Sequence, residues 1–357
     1  MRVRGKYSIK NGSKIKNDIR SIAIYSGAHP AHQKLLEDCC PDNIEMLGEW
    51  SVERHASSSN KLLSYLRTAL RMRGSRYHIV VIEGTIPAVL MAPVINSLNG
   101  HPKTIIALCG EDALYRAFIK GSTLNQIVIR FGFRFISGII AIGDMVPKLA
   151  HTYLRPLPVE TRYPQVTPER LDELAVLEPS IDSHNMVLIG GGSAYCKGVD
   201  IALKALDILR GRFSDATLTI LGFPNLEKRG PGVTSSGPVA DIAPYLSSSS
   251  ILIHPGRGEA FGIVAVEAML AGVIPFVSEW TGALSIAQEV EPKLVVPLKA
   301  DEFAERIAAL WDAPSEQRQS LSEKCKRVAR DFTIKTAAQP SLAPFIEHIA
   351  HINKSRG

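Results

Sequence analysis

Residues 251–278 read ILIHPGRGEAFGIVAVEAMLAGVIPFVS. A short apolar run from Ile251 to Ile253 breaks at His254, Pro255 and Gly256, and a tight turn follows at Arg257 and Gly258. A helical stretch then runs to Gly272, and a second apolar run follows from Val273 to Val277. Strand, glycine-rich turn, helix and strand make the unit of a parallel α/β sheet. The turn falls at the carboxyl end of its strand, where open α/β sheets bind ligands. Two carboxylates punctuate it, Glu259 at the helix mouth and Glu267 further along. On one regular helix they would lie about 12 Å apart along the axis and about 80° apart around it, too far for one small group to meet both. With Glu259 still in the loop, the pair brackets a long ligand. Between them Ala260, Phe261 and Gly262 place backbone N–H groups at a helix N-terminus, a ready anion site. The alternative makes Glu259 a charge on the helix dipole and Glu267 a solvated face residue. Against the second half of that alternative, Val264, Val266, Ala268 and Met269 leave the helix apolar nearly all round.

Upstream, residues 187–200 read VLIGGGSAYCKGVD. Gly190, Gly191 and Gly192 let the backbone approach a phosphate closely, and Lys197 adds a positive charge where the next helix starts. This is not the nicotinamide fingerprint: counted from Gly190, the last glycine of GxGxxG becomes Tyr195. It is not a Walker A loop either, because Lys197 precedes Gly198 and no Ser or Thr follows. Taken with Glu259 and Glu267, the loop suggests a cleft for a sugar nucleotide. Lys197 would neutralise charge building on the diphosphate as the sugar departs.

These motifs, in this order, resemble the retaining GT-B glycosyltransferases of the group 1, or family 4, type. HPGRGEAFGIVAVEAMLAG is similar to that family's Glu-x7-Glu element, Gly190 to Gly198 to its glycine loop ending in Lys-Gly, and residues 237–255 to the segment between them. The resemblance covers residues 185–290 well. In the first half it is one of layout, with residues 137–149 as the best piece. It implies two Rossmann-like domains facing each other across a cleft. It implies Glu259 beside the transferred sugar, the amides of Ala260, Phe261 and Gly262 on sugar or phosphate oxygens, and Lys197 on the diphosphate. Gly191 and Gly192 would cradle the donor, Val239 would lie beside the base, and Glu267 would hold the ribose hydroxyls. It further implies retention of anomeric configuration, with no cofactor and no metal needed for the chemistry. Three departures stand out. The arginine that the family usually places five residues before the lysine is Gly192, with Arg257 either compensating or serving as a surface turn. The usual Gly-Gly loop after the first strand is Ser26-Gly27-Ala28-His29. The first-domain histidine is missing near Cys109-Gly110-Glu111. Glu111 or Asp112 would contact the sugar instead or simply cap the next helix, and His29 would approach the cleft or sit exposed.

The rest of the chain fits this frame. At 357 residues and 45% apolar content, it can bury the cores of two domains. Strands alternating with helices give a first domain over 21–155. Five prolines mark 156–180 as a linker, a second domain covers 181–335, and a helix in 336–357 packs back on the first. No run of about 18 apolar residues is present, so no membrane span is expected. Five cysteines without CxxC spacing fit a reducing cytosol. The net charge of +6 belongs to residues 1–20, which carry seven bases and one acid, while the remainder is neutral. A nucleic-acid-binding field is therefore not expected. That tail reads as disordered and able to touch an anionic membrane from the cytoplasmic side. Lys61 to Arg76 adds five bases and no acid around Leu62, Leu63, Leu66 and Leu70, either a membrane-touching helix or an ordinary domain helix with a solvated basic face. The reading is a cytoplasmic glycosyltransferase moving sugar from a nucleotide sugar to a glycan or lipid-linked acceptor. Its rivals are a non-catalytic GT-B binding protein and a nucleotide-sugar epimerase.

Overall fold

The computed structural model describes residues 113–224 and 230–354 without interruption. Before them it describes 21–24, 44–47, 79–84, 86–97, 104–110 and five positions between 63 and 70. The basic tail, His29, Glu111 and Asp112 lie outside the described residues.

The first sheet is parallel throughout, in the order β2-β1-β3-β4-β5-β6. Its strands are β1 (Ser21–Ile24), β2 (Ile44–Leu47), β3 (Ile79–Glu83), β4 (Thr104–Cys109), β5 (Gly138–Ile142) and β6 (Val159–Arg162). TIIALC and GIIAI are buried along their whole length. That is why they read as unbroken apolar runs: helices cover both faces of a parallel sheet. The helices are α1 (Ile86–Asn96), α2 (Ala113–Tyr115) running into a π-helix (Arg116–Lys120), α3 (Thr123–Phe133) and α4 (Met145–Tyr153). The Ser122 hydroxyl caps α3 by accepting from the Asn125 amide.

The proline-rich stretch is more structured than a linker. Its residues Val159–Arg162 form β6 and pair in register with Ile139–Ile142, so the first sheet extends beyond residue 155. β6 has β5 on one side only, and an edge strand tolerates prolines at its ends. Pro168 then opens α5 (Pro168–Ala175), whose Thr167 hydroxyl accepts from the Arg170 amide.

The second sheet is also parallel, in the order β12-β11-β10-β7-β8-β9. It comprises β7 (Asn185–Ile189), β8 (Thr217–Leu221), β9 (Val233–Gly237), β10 (Ile251–His254), β11 (Ile274–Ser278) and β12 (Val295–Val296). The helices here are α6 (Val199–Arg210), α7 (Ala243–Ser247), α8 (Ile263–Leu270), α9 (Leu284–Val290), α10 (Ala300–Trp311), α11 (Ser315–Ala337) and α12 (Ala343–Lys354). Sequence patterning missed β9, whose VTSSG is half exposed on an edge, and the two-residue β12. From β7 the chain winds one way to β8 and β9, then returns on the other side to β10. The sheet therefore switches direction between β7 and β10, and the crevice at that point opens at their carboxyl ends. The glycine loop and residues 254–262 sit there. α12 packs against the first sheet: Ile349 lies over Gly138, and the Asn353 amide donates to the Thr104 hydroxyl at 3.2 Å.

Between residues 61 and 76 five helical positions are described, and Arg67 among them is exposed. Ala69 is buried, while Leu63, Leu66 and Leu70 are exposed.

Candidate functional site at the switch point of the second sheet

α8 begins at Ile263, after Gly262 in the left-handed region, so Glu259 lies in the loop rather than on the helix. The loop is braced from β11's exit: Glu259 forms a parallel bridge with Thr281, and the Gly282 amide donates to the Glu259 carbonyl at 3.0 Å. Phe261 is buried and anchors the loop against Phe332, with ring centroids 5.7 Å apart, and against Tyr163 at 5.8 Å. Ala260, Phe261 and Gly262 directly precede the first turn of α8, whose first N–H groups have no partner within the helix.

The Lys197 ammonium donates to the Glu259 carboxylate. Gly198 makes this meeting possible. It takes φ +72°, and a β-carbon there would fall 1.9 Å from the Pro255 carbonyl oxygen. Only glycine lets the start of α6 press on the β10 exit this closely. The Arg257 amide donates to the Cys196 carbonyl at 2.7 Å, stitching the two loops together. Gly191 and Gly192 have an open face, with no atom within 4 Å of where a side chain would begin. Val239 follows β9 and packs half-buried on the core of the second sheet.

Beneath the Lys197–Glu259 pair lies His254, which sequence reading left as a strand terminator. It is 1% exposed, and neither ring nitrogen has a hydrogen-bond partner. Burial pushes its pKa down to about 4, with the Glu259 charge opposing and the Lys197 charge adding. The ring is thus neutral at pH 7. The Ser278 hydroxyl donates to the Gly256 carbonyl at 2.6 Å and lies 3.1 Å from the Thr281 hydroxyl, fixing the loop above it.

Glu267 sits on α8 with its side chain 17% exposed, so the solvated-face alternative does not hold. Arg170 of α5 donates to it at 3.0 Å and to Glu173 at 2.7 Å. Burial raises the Glu267 pKa, and Arg170 works against that rise. Arg170 comes from the crossing between domains, a partner 97 residues away that no local motif announces.

Arg257 is not a free surface arginine. Its side chain is 9% exposed and grips Asp200 with two hydrogen bonds, at 2.7 and 2.8 Å. Burial alone would raise the Asp200 pKa; the Arg257 bonds and charge bring it below the usual range. Arg257 also lies 4.1 Å from the centroid of the Tyr195 ring.

The first domain closes on these loops. Tyr115 packs against Gly258 and lies 5.2 Å from the Trp280 ring. The Asp144 amide donates to the Gly282 carbonyl at 3.2 Å, and its carboxylate accepts from Tyr163 at 2.6 Å and from Ser285. From the π-helix, Arg116 donates to the Cys196 sulfur at 3.5 Å and Lys120 to the Tyr195 hydroxyl at 3.4 Å. π-helical turns occur often at functional sites. Among the described residues, no group of three or more His, Cys, Asp or Glu side chains is placed to hold a metal ion.

Residues 183–313 match the family described as glycosyl transferases group 1. The chain is 25% identical over 207 residues to a D-inositol 3-phosphate glycosyltransferase of Jonesia denitrificans, a match covering 48% of this chain and about half (49%) of the relative. A 2-deoxystreptamine glucosyltransferase of Streptomyces kanamyceticus is 25% identical over 300 residues, 74% of this chain and 76% of its own. Among solved structures, sucrose-phosphate synthase from Thermosynechococcus elongatus superposes with a TM-score of 0.61 at 13% identity, over 94% of this chain and 98% of its own. The Anabaena protein HepE in complex with UDP and glucose gives 0.55 at 15%, over 94% and 100%. The shared architecture is GT-B.

Proposed function

We propose, from the premise that residues 183–313 belong to the group 1 glycosyltransferases, that this chain transfers a sugar with retention from a nucleoside-diphosphate sugar to a glycan or lipid-linked acceptor. The observation that carries the proposal is the Lys197–Glu259 pair, held over the buried His254 where the second sheet switches direction.

A diphosphate entering the crevice would compete with Glu259 for the Lys197 ammonium. Lys197 would then stand against the developing phosphate charge, which makes the nucleotide a better leaving group. Glu259, relieved of Lys197, would accept hydroxyls of the departing sugar, with the amides of residues 260–262 holding its oxygens. Glu267 would present its second carboxylate oxygen to ribose hydroxyls, oriented by Arg170. The open faces of Gly191 and Gly192 leave room for the phosphates. Since HepE is solved with UDP and glucose, UDP-glucose is the first donor to try.

A second reading is favoured by Gly192 and by the commitment of Arg257 to Asp200: the site then lacks one cation for the diphosphate, and the protein holds a nucleotide sugar without turnover. A melting-temperature screen against UDP, GDP, ADP, CMP and their sugar conjugates, followed by product mass with candidate acceptors, separates the readings. Ligand at about 100 times its dissociation constant adds about 2.7 kcal/mol of stability. A shift for one nucleotide that vanishes in Lys197→Ala supports the site. No shift for any nucleotide overturns both readings.

A further inference from the structure

We propose that His254 is a positioning residue, whose Nε2–H takes the Glu259 carboxylate when an incoming diphosphate draws Lys197 away. Use of this handover in sugar transfer rests on the proposed function; the handover itself needs only that Lys197 leave. His254 is 1% exposed, and among the described residues neither of its ring nitrogens has a hydrogen-bond partner. Buried polar atoms are nearly always paired, so two unmet nitrogens on one ring point to a partner that arrives in another state of the site.

Two glycines hold the way open between ring and carboxylate. A β-carbon on Gly262 would lie 3.0 Å from His254 Nε2 and 3.3 Å from Glu259 Cγ. A β-carbon on Gly256 would lie 3.6 Å from Nε2 and 3.1 Å from Glu259 Cβ. Any side chain at either position would enter the space between the ring and the glutamate. The Thr281 hydroxyl borders the same space, but it lies 3.1 Å from the Ser278 hydroxyl, which itself donates to the Gly256 carbonyl. Glu259 is therefore the acceptor that Nε2 faces.

Charge sets the direction of the movement. The Lys197 ammonium donates to Glu259 in the empty site. A bound diphosphate would place negative charge beside that carboxylate, and like charges at this range repel. The Glu259 backbone cannot retreat, because it is bridged to Thr281 and its carbonyl accepts from the Gly282 amide at 3.0 Å. Only the side chain swings, and the space kept open beneath it leads to His254. A neutral ring with its proton on Nε2 supplies a donor there without setting a second positive charge against Lys197. Only the Nδ1 lone pair then stays unmet. The charged groups acting on the ring are the same two: Glu259 favours its protonation and Lys197 opposes it.

Lys197→Ala reproduces the departure of the lysine without any nucleotide. In the full chain, nitrogen-15 resonance of the His254 ring should then show the proton on Nε2. The ring should titrate about 1 to 3 pH units higher than in wild type, the range for a newly close opposite charge. The double variant Lys197→Ala/Glu259→Gln should lose most of that rise. A rise that survives in the double variant, or a proton on Nδ1 in Lys197→Ala, would overturn the proposal. Whichever of UDP, GDP and ADP raises the melting temperature should move the wild-type ring signals in the same direction. A melting shift with the ring unmoved would overturn the handover and leave the transferase reading standing. If no nucleotide binds, the transferase reading falls, and the Lys197→Ala titration still decides the handover. In transfer assays His254→Leu should melt no lower than wild type at pH 7, since it removes both unmet nitrogens. Its kcat should nevertheless fall about 10- to 100-fold, the loss of one hydrogen bond to a charged group. His254→Gln, whose amide nitrogen reaches about where Nε2 stands, should recover most of that loss. A leucine variant as active as wild type would overturn the proposal; should that variant fail to fold, the ring titration decides by itself.

Discussion

The carboxyl edges of the two sheets meet at the cleft, yet they contribute different things. The second sheet brings charges: Lys197 with Glu259 above a neutral His254, and Glu267 held by Arg170. The first sheet's described residues bring contacts: Tyr115 against Gly258, and Asp144 occupied by Tyr163, Ser285 and the Gly282 carbonyl. The difference teaches a division of labour. Under the proposed function, donor chemistry would be assembled within the second domain and its crossing helix, while the first domain braces those loops.

The contrast breaks most violently if the second-domain loops are forced apart. Gly198→Val would drive a branched side chain into the Pro255 carbonyl at a positive φ. Donor binding and transfer should fall by more than about a thousandfold, since the strain displaces Lys197 from Glu259. Retention of the nucleotide melting shift in this variant would show that the loop contact is dispensable.

Next come the paired charges themselves. Lys197→Ala and Glu259→Gln should each lower kcat by about 100- to 1000-fold, the range for losing one preorganised electrostatic contact. Nuclear magnetic resonance of the product's anomeric proton should show the donor's configuration retained; inversion would refute the stereochemical part of the proposal.

His254 gives a stability readout of the same constellation. The unfolded ring titrates near 6.5 and the folded one near 4. Between those values the unfolded chain binds more protons, so stability falls as pH falls. Moving from pH 7 to pH 5 should cost about 2 kcal/mol through this residue. His254→Leu should flatten that part of the pH–melting curve, because an apolar ring substitute removes the proton site and the unpartnered nitrogens together. An unchanged slope would mean that His254 is protonated in the folded state, hydrogen-bonded in a way the geometry does not indicate.

Glu267→Ala sits lower on the scale. It should raise the donor dissociation constant about tenfold with little change in kcat, as expected of a ground-state contact. Arg170→Ala should weaken the donor by a similar factor if Arg170 acts only by orienting Glu267, and the double variant should then be no worse than either single one.

Much of this architecture is legible in the sequence, and the exceptions have physical causes. TIIALC and GIIAI announce their strands because burial on both faces leaves no polar position to interrupt them. β9 and β6 stay hidden because edge strands carry polar or proline-flanked residues with only one partner. At the candidate site, Lys197 and Glu259 stand out in the sequence because they lie in glycine-rich turns, and Glu267 because it is a carboxylate on an otherwise apolar helix. Their companions are not. Arg170 reaches Glu267 across 97 residues and Arg257 reaches Asp200 across 57, and nothing local predicts which cation will meet which carboxylate. His254 could have been noticed as a polar residue ending an apolar strand; its burial and missing partners require the packed loops above it. The leucine stripe of residues 63–70 misleads for a related reason: amphipathic spacing identifies the apolar side of a helix but not whether protein or something else covers it.

The smallest predicted effect sharpens the comparison from the other side. Lys120 comes from the first domain and touches the second only through the Tyr195 hydroxyl, at 3.4 Å and with its own side chain exposed. An exposed contact of that kind contributes about 1 kcal/mol or less. Lys120→Ala should therefore change the donor dissociation constant by less than about threefold and leave the nucleotide melting shift in place. Its effect, if any, should fall on the acceptor's KM, because the π-helix carrying Lys120 forms the wall of the cleft opposite the glycine loop. A donor affinity that drops tenfold or more in this variant would mean that the first domain completes the diphosphate site, supplying from across the cleft the cation missing at Gly192. The division of labour between the two sheets would then be wrong at the one place where it is most easily tested.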